Sequence, residues 1–447
     1  MMQAIRFDDA WQAALRLAQT QADAGFDVVL VRDLLGRATL LIDDRSASFD
    51  ASSVDWERLR EAFDNATGPF AGLEPVQAAT GLFAPDSVMN SADLAVLQKR
   101  DGSHGQLALL DRAVIGIDWL RPAVAESSEI ERRVTLYGFK GGVGRSTATA
   151  VLARYLAETG RCVLVVDLDL ESPGVSALLE DPAQLPNHGV LDHLVEAGVG
   201  NESGLDLVCR SSALSVKGNG EVWLAPAGGR PRPGYEYLSK LNRIYTDLPP
   251  ALPGGEGRPF ARRLEAAVAA CEGQVAERSR RPDVVLLDSR AGMHDVAAAA
   301  ITQLAGLALL FVVDNPHTWA GYEMLFEQWE RIPVRARALR ERLKMVAAML
   351  PQADADERLA RLRDRAQELF ARIYDDEQGA DPAAFNPAPD DEDAPHSPIP
   401  ILFSTDLIGL DAGRTRDWLD LQLIQAAYST FLSQVERLVP PFREDAS

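Results

Sequence analysis

Two kinds of apolar pattern share this chain, and the change falls near residue 130. Before it, apolar positions are spaced out or gathered in short runs. Asp8 and Asp9 open a stretch in which Trp11, Ala14, Leu15 and Ala18 fall on one helical face, and Gly25 closes it. Residues 28–31 and Ala38–Ile42 are two apolar runs around Leu-Gly-Arg, a pattern that predicts a β-hairpin. Ser52 with Asp55 resembles a capping box opening a helix through Phe63, and residues 113–117 predict a further strand. These elements describe a small α+β domain over residues 1–128. It carries no constellation to which chemistry can be assigned. His104, in Asp-Gly-Ser-His-Gly, reads as a solvated loop histidine because no partner cluster accompanies it.

Beyond residue 129 the pattern becomes strand, glycine loop, helix, strand. Residues 134–137 form a short strand-like run, and residues 162–166, 222–224, 284–287 and 307–313 are apolar throughout rather than alternating, as in parallel strands covered on both faces. Residues 147–159 carry helical Ala and Leu spacing and stop at Gly160. The expected fold is therefore α/β: a doubly wound, mostly parallel sheet over residues 129–447, preceded by the small α+β domain. Ligands of such sheets bind at the carboxyl ends of the strands. Residues 296–313 are the most apolar stretch, but Thr302, Gln303 and Gly306 interrupt it. A membrane span needs a cleaner run of about 20 residues, so this stretch reads as a helix followed by a buried strand. Residues 226–259, rich in Pro and Gly, read as a surface excursion. Residues 374–400, acidic and Pro-rich, read as a disordered, solvated loop.

Composition narrows the partners. The formal net charge of −21 over 447 residues argues against nucleic acid and anionic membrane surfaces, which reward clustered Lys and Arg. Cys162, Cys209 and Cys271 are far apart and form no Cys-x-x-Cys pair, so neither a disulfide framework nor a cysteine zinc site is expected. With no apolar signal segment in residues 1–9, a reducing, cytoplasmic compartment is the expectation.

The strongest chemical signal is Lys140-Gly141-Gly142-Val143-Gly144-Arg145-Ser146-Thr147, set between a strand and a helix. Glycines let a backbone wrap closely around phosphates, and the helix that follows points its positive end at them. The hydroxyl of Ser146 stands where a Mg²⁺ ligand is needed, and Thr147 can reach another phosphate oxygen. Two acid-bearing segments follow: Asp167-Leu168-Asp169 after one apolar run, and Asp288-Ser289-Arg290-Ala291-Gly292 after another.

This series resembles the deviant Walker A motif of the MinD/ParA group of P-loop ATPases, with matching features across residues 132–436. The resemblance implies ATP and Mg²⁺ as cofactors and a nucleotide-dependent homodimer. In that dimer Lys140, the signature lysine, reaches the partner's phosphates. It implies Asp169 orienting the attacking water, Asp167 helping to organise the metal shell, and Ser146 with Asp288 as the metal-holding pair. Two departures stand out. Arg145 replaces the usual P-loop lysine; it keeps the charge but is bulkier and planar. Arg290 replaces a proline, and its place near the γ-phosphate or on a surface stays open. Residues 345–348 lead into Met349-Leu350-Pro351-Gln352, without the family's adenine-contacting Asn, and no Asn-Lys-x-Asp guanine motif follows. The implied output is an ATP-hydrolysing switch that regulates a protein partner. A nucleotide sensor with little turnover and a DNA- or membrane-positioning ATPase are the alternatives. The segment 418–438 weighs against the last, because Asp417, Asp420 and Glu436 accompany its apolar residues where a membrane-binding helix would be basic.

Overall fold

The computed structural model describes residues 5–46, 49, 54–91, 93–101, 103–112, 116–125, 127–248, 257–375, 384–405 and 422–441. The chain divides into two compact units, Met1–Arg121 and Pro122–Ser447.

The first unit is a mixed five-stranded sheet. Its strands are β1 (Val28–Arg32), β2 (Ala38–Ile42), β3 (Ala71–Ala78), β4 (Ala95–Gln98) and β5 (Leu107–Asp111), in the order β3-β2-β1-β5-β4. The β1–β2 hairpin forms as the sequence predicts, with Val28 opposite Ile42. Helices Phe7–Asp23 and Trp56–Thr67 bury Ala14, Ala18, Ala22, Leu59 and Phe63 against one face. The second helix is capped by Asp55 alone, which accepts from Arg58 N at 3.1 Å; Ser52 lies outside the described residues. β3 and β4 were not legible in the sequence. β5 precedes the expected strand at 113–117, of which residues 113–115 lie outside the described set. His104 is exposed and bonded to Asp101 and Ser103.

The second unit is an eight-stranded sheet in the order β13-β12-β11-β6-β10-β7-β9-β8. The strands are β6 (Arg133–Gly138), β7 (Cys162–Asp167), β8 (Cys209–Arg210), β9 (Glu221–Ala225), β10 (Val284–Asp288), β11 (Leu307–Val312), β12 (Leu343–Leu350) and β13 (Ile399–Leu402). All neighbours run parallel except the short edge strand β8. This is the doubly wound α/β sheet expected from the sequence. Along β7, Val163 and Val165 enter one core while Cys162, Leu164 and Val166 enter the other. Both faces are covered, which is why these strands carry no polar alternation. Helices Arg145–Glu158 and Gln422–Leu438 close the first core, and helices Val190–Gly198 and Phe260–Arg278 the second. Each fully buried Val or Leu contributes roughly 1.5–3 kcal/mol, so the sheet is a stiff platform for whatever its strand ends carry.

The stretch 295–313 is, as expected, a helix that widens into a π-type turn and then a strand. The helix over residues 422–438 packs on the sheet through Ile424, Tyr428, Phe431 and Val435; residues 418–421 lie outside the described set. No described helix is long and apolar enough to cross a membrane.

Two expectations need correction. The described part of the 226–259 excursion is not a mere surface loop. Ala227 and Ile244 are fully buried, and Tyr235 and Lys240 close over the buried Asp192. Nor do residues 384–400 of the 374–400 stretch form a disordered, solvated loop. Residues 394–399 are buried, and Lys344 donates to the carbonyls of Glu392 (2.9 Å) and Ala394 (2.7 Å). His396 Nδ1 lies 2.9 Å from the Tyr374 hydroxyl. Residues 376–383 lie outside the described set.

Candidate functional site

The site is built where the central strands end. Three of them, β6, β10 and β7, lie side by side and parallel. Register puts Asp288 directly opposite Asp167, so two carboxylates far apart in sequence become neighbours because both are the last residue of their strand. The segment Phe139–Gly144 leaves β6 and turns into the helix that begins at Arg145.

Gly142 (φ 75°) and Gly144 (φ 79°) take the left-handed backbone that makes this turn possible. No atom stands within 4 Å of where a Cβ would project from Gly141, Gly142 or Gly144. The loop's concave side is thus open to close approach by a ligand. Val143 is its anchor, 7% exposed and packed into the core beside Gly138. Phe139 is wedged against Gly321 of helix Pro316–Glu330, where a Cβ would stand 2.1 Å from the ring. Lys140 is exposed beyond it, with Nζ 5.8 Å from the Phe139 ring centre, and enters no ion pair among the described residues.

Arg145 behaves differently from a free P-loop cation. It is 7% exposed and donates through Nε to Asp288 (3.2 Å) and through Nη2 to Asp169 (3.0 Å). Ser146 Oγ donates to the other Asp288 oxygen at 2.7 Å, and Thr149 Oγ1 to the first at 3.2 Å. Asp167 accepts from the backbone and hydroxyl of Ser176 (3.1 and 2.6 Å) and from Asp169 N (3.2 Å). Thr147, half-buried, completes the first helical turn.

Three buried carboxylates therefore lie together, and one guanidinium serves two of them, Asp169 and Asp288. Burial and the neighbouring Asp288 push Asp167 up to about 7. Burial also raises Asp169 and Asp288, against the pull of Arg145. Such a cluster is short of positive charge. Its donor set of hydroxyl and carboxylate oxygens suits a hard cation such as Mg²⁺. Among the described residues no group of three or more His, Cys, Asp or Glu forms a ready-made metal cage. The open glycine loop, the helix start and this donor set fit a Mg²⁺-nucleotide.

A model of the CobQ/CobB/MinD/ParA nucleotide-binding domain matches residues 134–424. The chain belongs to this family. The nitrogenase iron protein 2 of Methanothermococcus thermolithotrophicus is 31% identical over 133 residues, 26% of this chain and 43% of that protein. The chromosome-partitioning ATPase Soj of Thermus thermophilus is 49% identical over 47 residues, 10% of this chain and 19% of that protein. The chain thus spans less than half the length of these curated relatives. A solved structure of pNOB8 ParA bound to nonspecific DNA shares 13% identity, with a TM-score of 0.42, covering 69% of this chain and 97% of that one. The expectation against nucleic acid gains no support from these likenesses. The domain that defines this family binds nucleotide.

Sequence reasoning missed three side chains beside the site of this MinD/ParA-family chain: Glu171, Tyr245 and His294. Glu171, just past Asp169, pairs with Arg290, accepts from the Tyr245 hydroxyl and lies 3.6 Å from His294 Nε2. Tyr245 meets His294 edge-on at 4.8 Å. Only Arg290, standing where a proline is expected, gave a signal in the sequence.

Proposed function

We propose that the chain is a Mg²⁺-ATP-binding, ATP-hydrolysing switch that dimerises on nucleotide and regulates a protein partner. The observation that carries this reading is the hydrogen bond of Ser146 to Asp288 at the mouth of an open glycine loop. It pairs, before any ligand arrives, the two side chains best placed to hold the ion. Backbone N–H groups of Gly141, Gly142, Val143 and Gly144, with the start of helix Arg145–Glu158, would cradle the phosphates. Thr147 would add a hydroxyl. Mg²⁺, when bound, supplies charge neutralisation across the phosphates. Asp169 would align the attacking water, and Asp167 would hold the loop through Ser176 and the Asp169 amide. Lys140, exposed and in no ion pair among the described residues, is suited to reaching a second copy's phosphates.

A second reading is favoured by one observation. Arg145 is committed to Asp169 and Asp288, so the cation and the water-aligning acid restrain each other. A chain built this way suits a sensor that binds ATP and turns it over slowly.

Sedimentation velocity with and without Mg²⁺-ATP tests the first reading. The wild type should shift from monomer to dimer, and Lys140→Ala should lose the shift. A monomer at every nucleotide concentration ends the sandwich model. Phosphate release separates switch from sensor: turnover no higher than that of Asp169→Ala favours the sensor. A salt-dependent shift of DNA in the ATP state would move the output to DNA.

A further inference from the structure

The loops after β7 and β10 are tied together twice. The inner tie is Arg145, donating to Asp169 on one loop and Asp288 at the head of the other. The outer tie stands two residues further along both loops: Glu171 is Asp169 plus two, and Arg290 is Asp288 plus two. The ties differ in how firmly they hold their cation. Arg145 is 7% exposed and bonded to two buried acids; moving it would strand both beside Asp167. Arg290 has 31% of its side chain exposed and is paired to Glu171.

Glu171 is also equipped to lose that partner. The Tyr245 hydroxyl donates to Oε1, and His294 stands within ion-pair distance of the same oxygen. Its second oxygen, Oε2, is buried without a hydrogen-bond partner among the described residues. A carboxylate with two other partners at hand loses less than a lone one when a guanidinium leaves. Arg290 also acts on the phosphate-facing acids: its charge opposes the rise of the Asp169 pKa.

We infer that Arg290 is a parked phosphate-binding residue, held on Glu171 in the nucleotide-free chain and transferred to the γ-phosphate when ATP binds. Arg145 cannot serve as the mobile cation, because the carboxylate cluster needs it in place. Arg290 supplies that charge. Tyr245 and His294 keep Glu171 partnered meanwhile. The inference rests on the ATP reading above and adds a device by which the chain distinguishes ATP from ADP. A ligand shifts such an equilibrium only by its differential affinity, and the γ-phosphate is what ADP lacks.

The test is calorimetric titration of the full chain with Mg²⁺-ADP and with a non-hydrolysable Mg²⁺-ATP analogue. Arg290→Ala should weaken the analogue by about tenfold, the scale of a lost charge-assisted hydrogen bond, and leave ADP within about twofold. Arg290→Lys should recover part of the loss. Glu171→Gln, which frees Arg290 while keeping the Tyr245 contact, should strengthen the analogue about two- to fivefold without moving ADP. ADP binding doubles as the check that each variant is folded. An unchanged ratio of ATP-analogue to ADP affinity in Arg290→Ala overturns the inference. So does an equal loss for both ligands, which would mark the pair as structural. A Glu171→Gln chain with unchanged or weakened analogue binding removes the parking role. A wild type that binds neither nucleotide overturns the ATP reading itself, and this inference with it.

Discussion

The acids at the ends of β7 and β10 and the acids of residues 390–393 belong to one domain, yet burial gives them opposite meanings. Asp167 and Asp288 are fully buried and raised in pKa by burial, and the one guanidinium bonded to Asp288 is shared with Asp169. Asp390, Asp391, Glu392 and Asp393 are exposed. In the second region the backbone is what the fold uses: the carbonyls of Glu392 and Ala394 receive buried Lys344, whose pKa burial lowers to about 8. A run of four acids in sequence is thus a solvated rim over a structural anchor. Two acids 121 positions apart, brought opposite one another by strand register, form the electrostatically unsettled site. Desolvation and missing counter-charge, rather than acid density, mark the place where a cation and a phosphate would be welcome.

The largest expected effect breaks the buried side of this contrast. Asp288→Asn should lower Mg²⁺-dependent nucleotide affinity by about a hundredfold, since it removes the charge of the metal-holding pair. It should also raise the thermal stability of the nucleotide-free chain at pH 8, by about 1 kcal/mol, because it removes one of three crowded negative charges. The pH dependence follows with a definite sign. Asp167 binds its proton more tightly folded than unfolded, so its contribution is fully present below about pH 4. That contribution is lost as pH rises through about 7. Asp288→Asn should flatten this loss in melts from pH 5 to 8. A variant less stable than wild type at pH 8, with an unflattened profile, would contradict the crowding argument.

The next effect tests the anchor. Lys344→Ala removes the donor that ties the carbonyls of Glu392 and Ala394 to β12 and opens space there. It should cost about 2–3 kcal/mol in urea unfolding with nucleotide affinity unchanged. A nucleotide defect would show the two regions to be coupled. The smallest effect belongs to the rim. Asp390→Asn with Glu392→Gln should change stability by less than about 0.5 kcal/mol, because both side chains are exposed.

Much of this was legible in the sequence, and the reason is burial. Strands β7, β10 and β11 are covered on both faces, so their residues are apolar almost without interruption and the first polar residue marks where each run ends. Asp167 and Asp288 were visible for that reason. In the first unit, β3 reads Ala-Gly-Leu-Glu-Pro-Val-Gln-Ala and buries only Val76 and one neighbour fully, so no period stands out. The direction of the Arg145 side chain was not legible either. It depends on Asp169 and Asp288, 24 and 143 positions away, arriving at the same point. Glu171, Tyr245 and His294 are joined by the same long-range folding and share no local motif. The anchoring of residues 384–400 was hidden because composition reports the solvent-facing acids, whereas the backbone and His396 do the packing.

The glycine at position 321 carries one more consequence. It sits inside a helix, where glycine costs about 1 kcal/mol relative to alanine, and the surrounding turns offer no backbone reason for it. Its vacant side is filled by the ring of Phe139, the residue from which Lys140 projects. Helix rigidity has been exchanged for a socket, and the reach of the exposed lysine is set from 181 residues away. A designer who replaced that glycine to stiffen the helix would eject the ring and unseat the loop's first cation. Robustness in one element would come at the expense of aim in another.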